Sequence, residues 1–281
     1  MNTLVANPRR ADARTRRPPF TALLRSEWVK LLSVPSSVLA LAGILSLGLA
    51  GAAFLGLTLE SSGVPSTPDL ARTVGDITMP TVILGQILAG ILGVMVIGSE
   101  YATGTIQPTL LAVPERWKVL VAKVLVLFST VMALALATVF AAWAITTLTY
   151  APHGLDAPLS EPGVLLALIG TAVYIGLCAV FGVGIGTIVR STTVGAIVVF
   201  FTTLLGPVLS SFLPEGMFGQ VIRMLLIGNA GDAMSRMPID GAPFLDLHTG
   251  YISPLAGYAF VSGCAILSVV IGAIMLQKRD A

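Results

Sequence analysis

Apolar residues occur along the chain in long runs, and charged residues are confined to the segments between them. A bilayer core about 30 Å thick needs roughly 20 helical residues to cross it. Six uncharged runs have about that length: Val38 to Leu59, Pro80 to Gly98, Val124 to Leu148, Val164 to Val189, Val194 to Leu213 and Pro254 to Leu276. This pattern predicts an all-α polytopic membrane protein with six transmembrane helices in one transmembrane domain, residues 38–276.

The composition agrees with a chain embedded in lipid. Charged residues make up 11% of it, against about 25% in soluble domains. The net charge is only +2, which gives no reason to expect a nucleic-acid partner. If both termini are cytoplasmic, 13 of the 16 Lys and Arg residues lie on the inner side and three on the outer side. The positive-inside rule therefore predicts a multi-pass protein of the cell membrane with both termini in the cytoplasm, residues 277–281 forming a short tail.

The segment before the first run has two parts. Residues 1–19 are basic and poor in apolar side chains, which predicts a disordered cytoplasmic tail. In residues 20–33 apolar residues recur at helical spacing, which predicts an amphipathic helix in the membrane interface, with Trp28 on its apolar side and Lys30 on its polar side. Glu27 falls within the apolar stripe. Its carboxylate either bends outward to water or forms an ion pair with a basic residue of the next cytoplasmic segment.

The segment between the second and third runs, residues 99–123, contains two helix-start signals. Gly104 lies between two threonines and suits a tight turn. Pro108 is placed to begin a short helix that ends near Ala112, and Pro114 is placed to begin the next helix. A short helix at the inner ends of two spans would transmit force from a soluble partner, although an ordinary interfacial loop has the same spacing.

The chain has no nucleotide-hydrolysing machinery of its own. The phosphate-binding loop Gly-x-x-x-x-Gly-Lys-[Ser/Thr] does not occur in it. The apolar runs contain none of the ionisable side chains that ion-coupled transporters keep near mid-membrane. We therefore expect the energy for transport to come from another chain, and we expect no cofactor on this one.

Individual residues within and between the spans carry further predictions. Gly182 and Gly186 form a small-xxx-small pair on which a neighbouring helix packs closely. Pro207 predicts a kink in the fifth span. His248 beside Asp246 has the residue types of a metal site, but one histidine with an acidic neighbour favours a solvated loop, so no metal is expected.

Two short motifs resemble the signature of the type-2 permeases of ATP-binding cassette (ABC) transporters. The first is Ser26-Glu27-Trp28-Val29-Lys30-Leu31, before the first span. The second is Glu100-Tyr101-Ala102-Thr103-Gly104-Thr105-Ile106, followed by Pro114, Arg116 and Lys123. The order of elements is similar too: a surface helix, six spans, and a coupling loop after the second span. Gln107 departs from the family, in which many members carry a basic residue at this position.

The resemblance implies a permease subunit of an ABC-type exporter. The surface that docks a cytoplasmic ABC ATPase would comprise Glu100, Tyr101, Thr103, Gly104, Thr105 and Arg116, and the interfacial helix would contribute Glu27, Trp28 and Lys30. ATP would be bound by that partner subunit. A second permease copy or a paralogue would complete a path for an amphipathic or lipid-like cargo. In the outer loop 214–253, the stretch Met217 to Ile227 is too short to span and would lie in the outer interface or dip back into the membrane.

Two other functions stay open at this point. The chain would be a membrane anchor or an immunity-type subunit that binds a toxic peptide without transporting it. Less favoured is a membrane enzyme that acts on lipid headgroups through the outer loop and depends on Asp246 or His248. Neither function explains the segment 99–123.

Overall fold

The computed structural model describes residues 19–65, 69–104, 116–214, 216–239 and 241–279, and within these ranges the chain is mostly helical. The helices are α1 (Phe20–Ser33), α2 (Pro35–Ser62), α3 (Leu70–Ala102), α4 (Arg116–Tyr150), α5 (Pro162–Val189), α6 (Thr192–Phe200), α7 (Gly206–Ser210), α8 (Met217–Leu225), α9 (Ile227–Met234) and α10 (Pro254–Arg279). Most of the predicted N-terminal tail and the short helix predicted from Pro108 to Ala112 lie outside the described residues.

Six stretches of the described chain are long and apolar enough to cross a membrane. Five are the single helices α2, α3, α4, α5 and α10, and the sixth combines α6, a π-helical turn over Phe201–Leu205, and α7. The predicted number and order of spans are confirmed, and the protein is a multi-pass α-helical membrane protein. We name the end of the bundle that contacts α1 the α1 end, and the opposite end the far end.

The five spans that are single helices extend beyond their apolar runs at one or both ends, because a helical backbone satisfies its own hydrogen bonds in lipid and in water alike. The largest difference is in α3, where the apolar run begins at Pro80 but the helix begins at Leu70. The side chain of Asp69 caps this helix by accepting hydrogen bonds from the backbone N–H groups of Ala71 and Arg72. Pro80 therefore lies inside the helix and marks only the start of the apolar run.

The most buried span is α5, which packs on α3, α4 and α10. Glycines permit the close approach of α5 to α3. An ideal Cβ atom placed on Gly182 would lie 2.0 Å from the carbonyl oxygen of Gly90, and one on Gly186 would lie 2.6 Å from the side chain of Ile97. A side chain at either glycine would push the two helices apart, so these positions bring α3 and α5 into contact.

The span formed by α6 and α7 is irregular at the position where the sequence predicts a kink. The π-helical turn directly precedes α7, whose second residue is Pro207. Because Pro207 has no N–H group, it leaves the carbonyl group of Thr203 without a regular helical donor. Gly228 of α9 packs on the same carbonyl oxygen, which lies 2.1 Å from an ideal Cβ atom at that glycine. The irregular backbone is therefore covered by protein.

The apolar stretch Met217 to Ile227, predicted to lie in the outer interface or to dip back into the membrane, belongs to two helices. The backbone is extended at Leu226, between α8 and α9. Helix α9 is largely buried and packs on α5 and α10. An ideal Cβ atom on Gly231 would lie 1.9 Å from the ring of Tyr174, which is near the middle of α5. Helix α9 therefore reaches in among the spans from the far end.

The far end also carries a pair of antiparallel strands, Leu245–Asp246 and Tyr251–Ile252, which the all-α prediction did not include. In the turn between them, the Asp246 carboxylate accepts hydrogen bonds from the backbone N–H of His248 and from the hydroxyl of Thr249, both at 2.8 Å. Within the described ranges no three His, Cys, Asp or Glu residues are grouped as metal ligands would be. The carboxylate thus stabilises the turn.

Candidate functional site

Four charged side chains meet at the α1 end and link α1, α3 and α4. We name Glu27, Lys30, Glu100 and Lys123 the charge cluster. The Nζ atom of Lys123 lies 2.6 Å from Oε2 of Glu27 and 3.0 Å from Oε1 of Glu100. The Nζ atom of Lys30 lies 2.7 Å from Oε1 of Glu27 and 3.0 Å from Oε1 of Glu100. Each ammonium group therefore bridges both carboxylates.

The charge cluster is largely shielded from solvent. The exposed fraction of the side chain is 1% for Lys123, 4% for Glu27, 11% for Glu100 and 42% for Lys30. A buried ion is tolerated when it is paired and hydrogen-bonded, and removing one partner of a buried pair costs about 3–5 kcal/mol. The charges of two acidic and two basic side chains sum to zero here, so each member is needed to compensate the charge of the others.

The local sequence explains how these four side chains converge. Glu27 and Lys30 are three residues apart and share one face of α1. Glu100 lies in the last turn of α3, and Lys123 lies about two turns into α4, where its Nζ atom is also 3.4 Å from the carbonyl oxygen of Val96. Of the two alternatives for Glu27, the structure shows the ion pair with the next basic segment.

The charge cluster changes the pKa of Glu27 and of Lys30. Burial alone would raise the pKa of the Glu27 carboxyl, but the charges and hydrogen bonds of Lys123 and Lys30 outweigh it and hold the pKa below its ordinary value of 4.5. Burial alone would lower the pKa of Lys30, but its hydrogen bonds and attraction to Glu27 and Glu100 raise it above 10.5. Both groups are therefore charged at neutral pH.

A cavity of about 400 Å³ opens beside the charge cluster. All four members of the cluster line it, together with apolar and small polar residues of α3 and of the junction between α1 and α2. The Oε2 atom of Glu100 is buried and has no hydrogen-bond partner in the described part of the chain. The site therefore retains the capacity to accept one more hydrogen bond.

Comparison with known proteins assigns the chain to a family. A family model described as a protein of unknown function (DUF2705) matches residues 62–281. The chain belongs to the DUF2705 family. No curated protein matches the chain. The matched residues include Glu100 and Lys123, whereas Glu27 and Lys30 precede them, so the charge cluster joins the DUF2705 region to α1.

Three other residues of the predicted docking surface lie at the end of α3 in this DUF2705 protein. The ring of Tyr101 is 5.0 Å from the guanidinium carbon of Arg190, which follows α5. The hydroxyl of Thr103 donates to the carbonyl oxygen of Ser99 at 2.8 Å. Gly104 has a φ angle of +69°, a left-handed conformation that residues with a Cβ atom rarely adopt. This geometry suits the predicted tight turn.

The structure describes only part of the predicted docking surface. Thr105 and the side chain of Arg116 lie outside the described residues, so their part of the surface stays a prediction. Trp28 lies on α1 with 45% of its surface exposed, whereas its neighbour Glu27 is buried in the charge cluster. The two residues therefore lie on different faces of α1.

Two basic residues of the site were not among the predicted site residues of this DUF2705 protein. Lys123 is the last charged residue before the third apolar run, and a buried Glu27 requires a cation. Arg190 directly follows the fourth run and packs on Tyr101 with a φ angle of +56°. The sequence shows that both residues lie beside spans. It does not show their partners, which are distant in the chain.

Proposed function

We propose that this DUF2705 protein is the permease subunit of an ABC-type exporter and that a separate cytoplasmic ATPase supplies its energy. The charge cluster carries this proposal. It ties α1, α3 and α4 together at the end of the bundle where the segment joining α3 to α4 emerges. A partner docked on that segment would act on three helices at once.

Force applied to that segment would pass into the bundle through rigid contacts. Buried ion pairs hold α1 against α3 and α4, so the ends of these helices would move as a unit. Helix α3 packs closely on α5 at Gly182 and Gly186, which extends the unit toward the far end. Closure of the ATPase would rock this unit and alternate the access of cargo to its path.

Nucleotide chemistry belongs to the partner in this proposal, because the full sequence contains no phosphate-binding loop. The likeness of residues 26–31 and 100–106 to type-2 ABC permeases supports the same assignment. A second permease copy or a paralogue would complete the path. Apolar and small residues along the spans suit an amphipathic or lipid-like cargo.

The α1 end would face the cytoplasm of the cell. This orientation places 13 of the 16 basic residues inside, as the positive-inside rule favours. Helix α1 would then lie in the inner interface. Its exposed residues include Trp28, Val29 and Leu32, which suit contact with lipid.

Two left-handed glycines allow a matched test of the coupling role. Gly104 has a φ angle of +69° next to the α3–α4 segment, and Gly154 has one of +71° at the far end. Both have no atom within 4 Å of an ideal Cβ position. Proline at either position breaks the local turn, and neither glycine is a member of the charge cluster. The tagged chain is co-expressed with an ATPase encoded beside it, and co-purification and ATP hydrolysis are measured in lipid nanodiscs.

We expect Gly104→Pro to abolish ATPase binding or ATP hydrolysis, and Gly154→Pro to leave both at the wild-type level. If Gly104→Pro keeps a bound and active ATPase, the α3–α4 segment does not couple the two subunits. If the purified chain transports an amphipathic cargo with no companion subunit present, the permease proposal is wrong.

A further inference from the structure

Two cavities adjoin at the far end and differ in character. The first, of about 410 Å³, lies between α7, α9 and the second strand, and its lining is partly charged. The second, of about 320 Å³, lies between the first turns of α5 and α10, and its lining is mainly apolar. Arg236, Ile239, Tyr251 and Pro254 line both cavities. The two cavities are therefore direct neighbours, and the first has a partly charged lining whereas the second has a mainly apolar one.

The first cavity has more positive than negative charge among its described lining residues. Arg223 is held by the backbone, because its Nε and Nη2 atoms donate to the carbonyl oxygens of Ser210 and Leu213 at 2.9 and 2.7 Å. Arg236 forms an ion pair with Asp232, four residues earlier. Among the described residues, two guanidinium groups and one carboxylate therefore line this cavity.

These guanidinium groups retain the capacity to bind a ligand. The Arg236 side chain is 68% exposed, so its donors can reach beyond Asp232 into the cavity. The fixed position of Arg223 reduces the entropy that it loses when it binds a ligand. Guanidinium groups form strong charge-assisted hydrogen bonds with phosphate oxygens, and their planar geometry permits two such bonds at once.

The second cavity opens toward the outward faces of two spans. Leu166 of α5 and Leu255 of α10 line it, with 56% and 69% of their surfaces exposed. Outward apolar faces of membrane-spanning helices lie against lipid. The lining also includes Met234 of α9, which is buried. An apolar chain can therefore enter from the bilayer between α5 and α10 and reach α9.

We propose that the two cavities together bind an anionic phospholipid from the leaflet at the far end. Its phosphate would lie beside Arg223 and Arg236 in the first cavity, and the beginning of an acyl chain would lie in the second. A soluble anion would use only the first cavity, and an uncharged lipid only the second. This inference is independent of the proposed function, because it involves the opposite end of the bundle from the charge cluster.

Native mass spectrometry of the full delipidated chain tests the proposal, using phosphatidylglycerol and phosphatidylcholine with identical acyl chains. Arg236→Gln removes one phosphate ligand, and Ala242→Trp fills the apolar cavity that Ala242 lines. Arg72→Gln is the control, because Arg72 is exposed at the far end and lines neither cavity. Arg236→Lys keeps the positive charge. Binding by this variant would show that Arg236→Gln loses a phosphate contact and not the fold.

We expect the wild type to retain phosphatidylglycerol in preference to phosphatidylcholine. Arg236→Gln and Ala242→Trp should each weaken phosphatidylglycerol binding about tenfold, while Arg72→Gln leaves it unchanged and Arg236→Lys keeps most of it. Equal retention of the two lipids, or equal loss in Arg72→Gln, would overturn the proposal. Displacement of the lipid by inorganic phosphate would overturn it too, because the occupant would then be a soluble anion. No ATPase is present in this measurement, so a failure of the lipid proposal would not contradict the permease proposal.

Discussion

Lys123 and Glu27 are 96 residues apart in the chain, yet their charged groups lie 2.6 Å apart and both are buried. They belong to α4 and α1, so the pair fastens the helix before the spans to one of the spans. Glu100 of α3 shares the same ammonium group. The α1 end is therefore held by charge, whereas α3 and α5 are held together by close packing at glycines.

Replacing Lys123 by methionine should lower the free energy of unfolding by about 3–5 kcal/mol, because two buried carboxylates lose a shared cation. Lys278→Met is the control, since Lys278 is exposed on α10. That change should stay within about 0.5 kcal/mol. Unfolding of the purified chain in detergent measures both variants, and equal stability of the two would contradict the structural role of the charge cluster.

A double-mutant cycle isolates the pair itself. Glu27→Gln combined with Lys123→Met should cost less than the sum of the two single changes by about 0.5–3 kcal/mol, because the second change removes a charge that the first had left uncompensated. The same unfolding measurement applies to all four proteins. Additive effects would show that the two side chains do not interact.

The stability of the protein should depend on pH through Glu27. The pKa of this carboxyl lies below 4.5 in the folded state, so its contribution is fully present above the unfolded value and is lost as the pH falls through the lower folded pKa. The contribution of Lys30 has the opposite sign: it is present below pH 10.5 and lost as the pH rises through the raised pKa.

Thermal unfolding of the wild type and of Glu27→Gln checks this dependence between about pH 7 and pH 3. The difference in stability between the two proteins should be constant down to about pH 4.5 and shrink below it. A difference that does not shrink below pH 4.5, or that changes in favour of the wild type as the pH falls, would show that the pKa of Glu27 is not lowered in the folded protein.

Gly231→Ala should displace α9 from the bundle, because the added methyl group would lie 1.9 Å from the ring of Tyr174. We expect a loss of about 1–3 kcal/mol and faster proteolysis around α9. Gly263→Ala is the matched control, since nothing lies within 4 Å of that Cβ position. Adding Tyr174→Ala to Gly231→Ala should restore protection of α9 from proteolysis. Unchanged proteolysis in Gly231→Ala alone would contradict the packing of α9.

Gly182→Ala should separate α3 from α5, because the added methyl group would lie 2.0 Å from the carbonyl oxygen of Gly90. A backbone atom cannot rotate away, so we expect a loss of about 1–3 kcal/mol in thermal unfolding. Gly75→Ala, where the Cβ position of α3 is open, should instead be neutral or gain about 0.5–1 kcal/mol. Equal effects of the two changes would mean that α3 and α5 are not in close contact.

Part of the site was predictable from residues close in sequence. Glu27 in an apolar stripe requires either water or a cation, and Glu100 stands directly after an uncharged run. The requirement for a cation follows from the desolvation of a carboxylate, a property of one residue and its helix. Which of the basic residues supplies it depends on how α1 lies across α3 and α4, and helical periodicity carries no information on that.

The sequence by itself determined the number and order of the spans and the glycine pair of α5, because each depends on local hydrophobicity and side-chain size. Only the tertiary structure decided that Lys123 neutralises Glu27 and that α9 reaches Tyr174. The stability of a segment in lipid depends on its own apolarity. Ion pairs and packed helices instead need partners from distant parts of the chain, which only folding brings together.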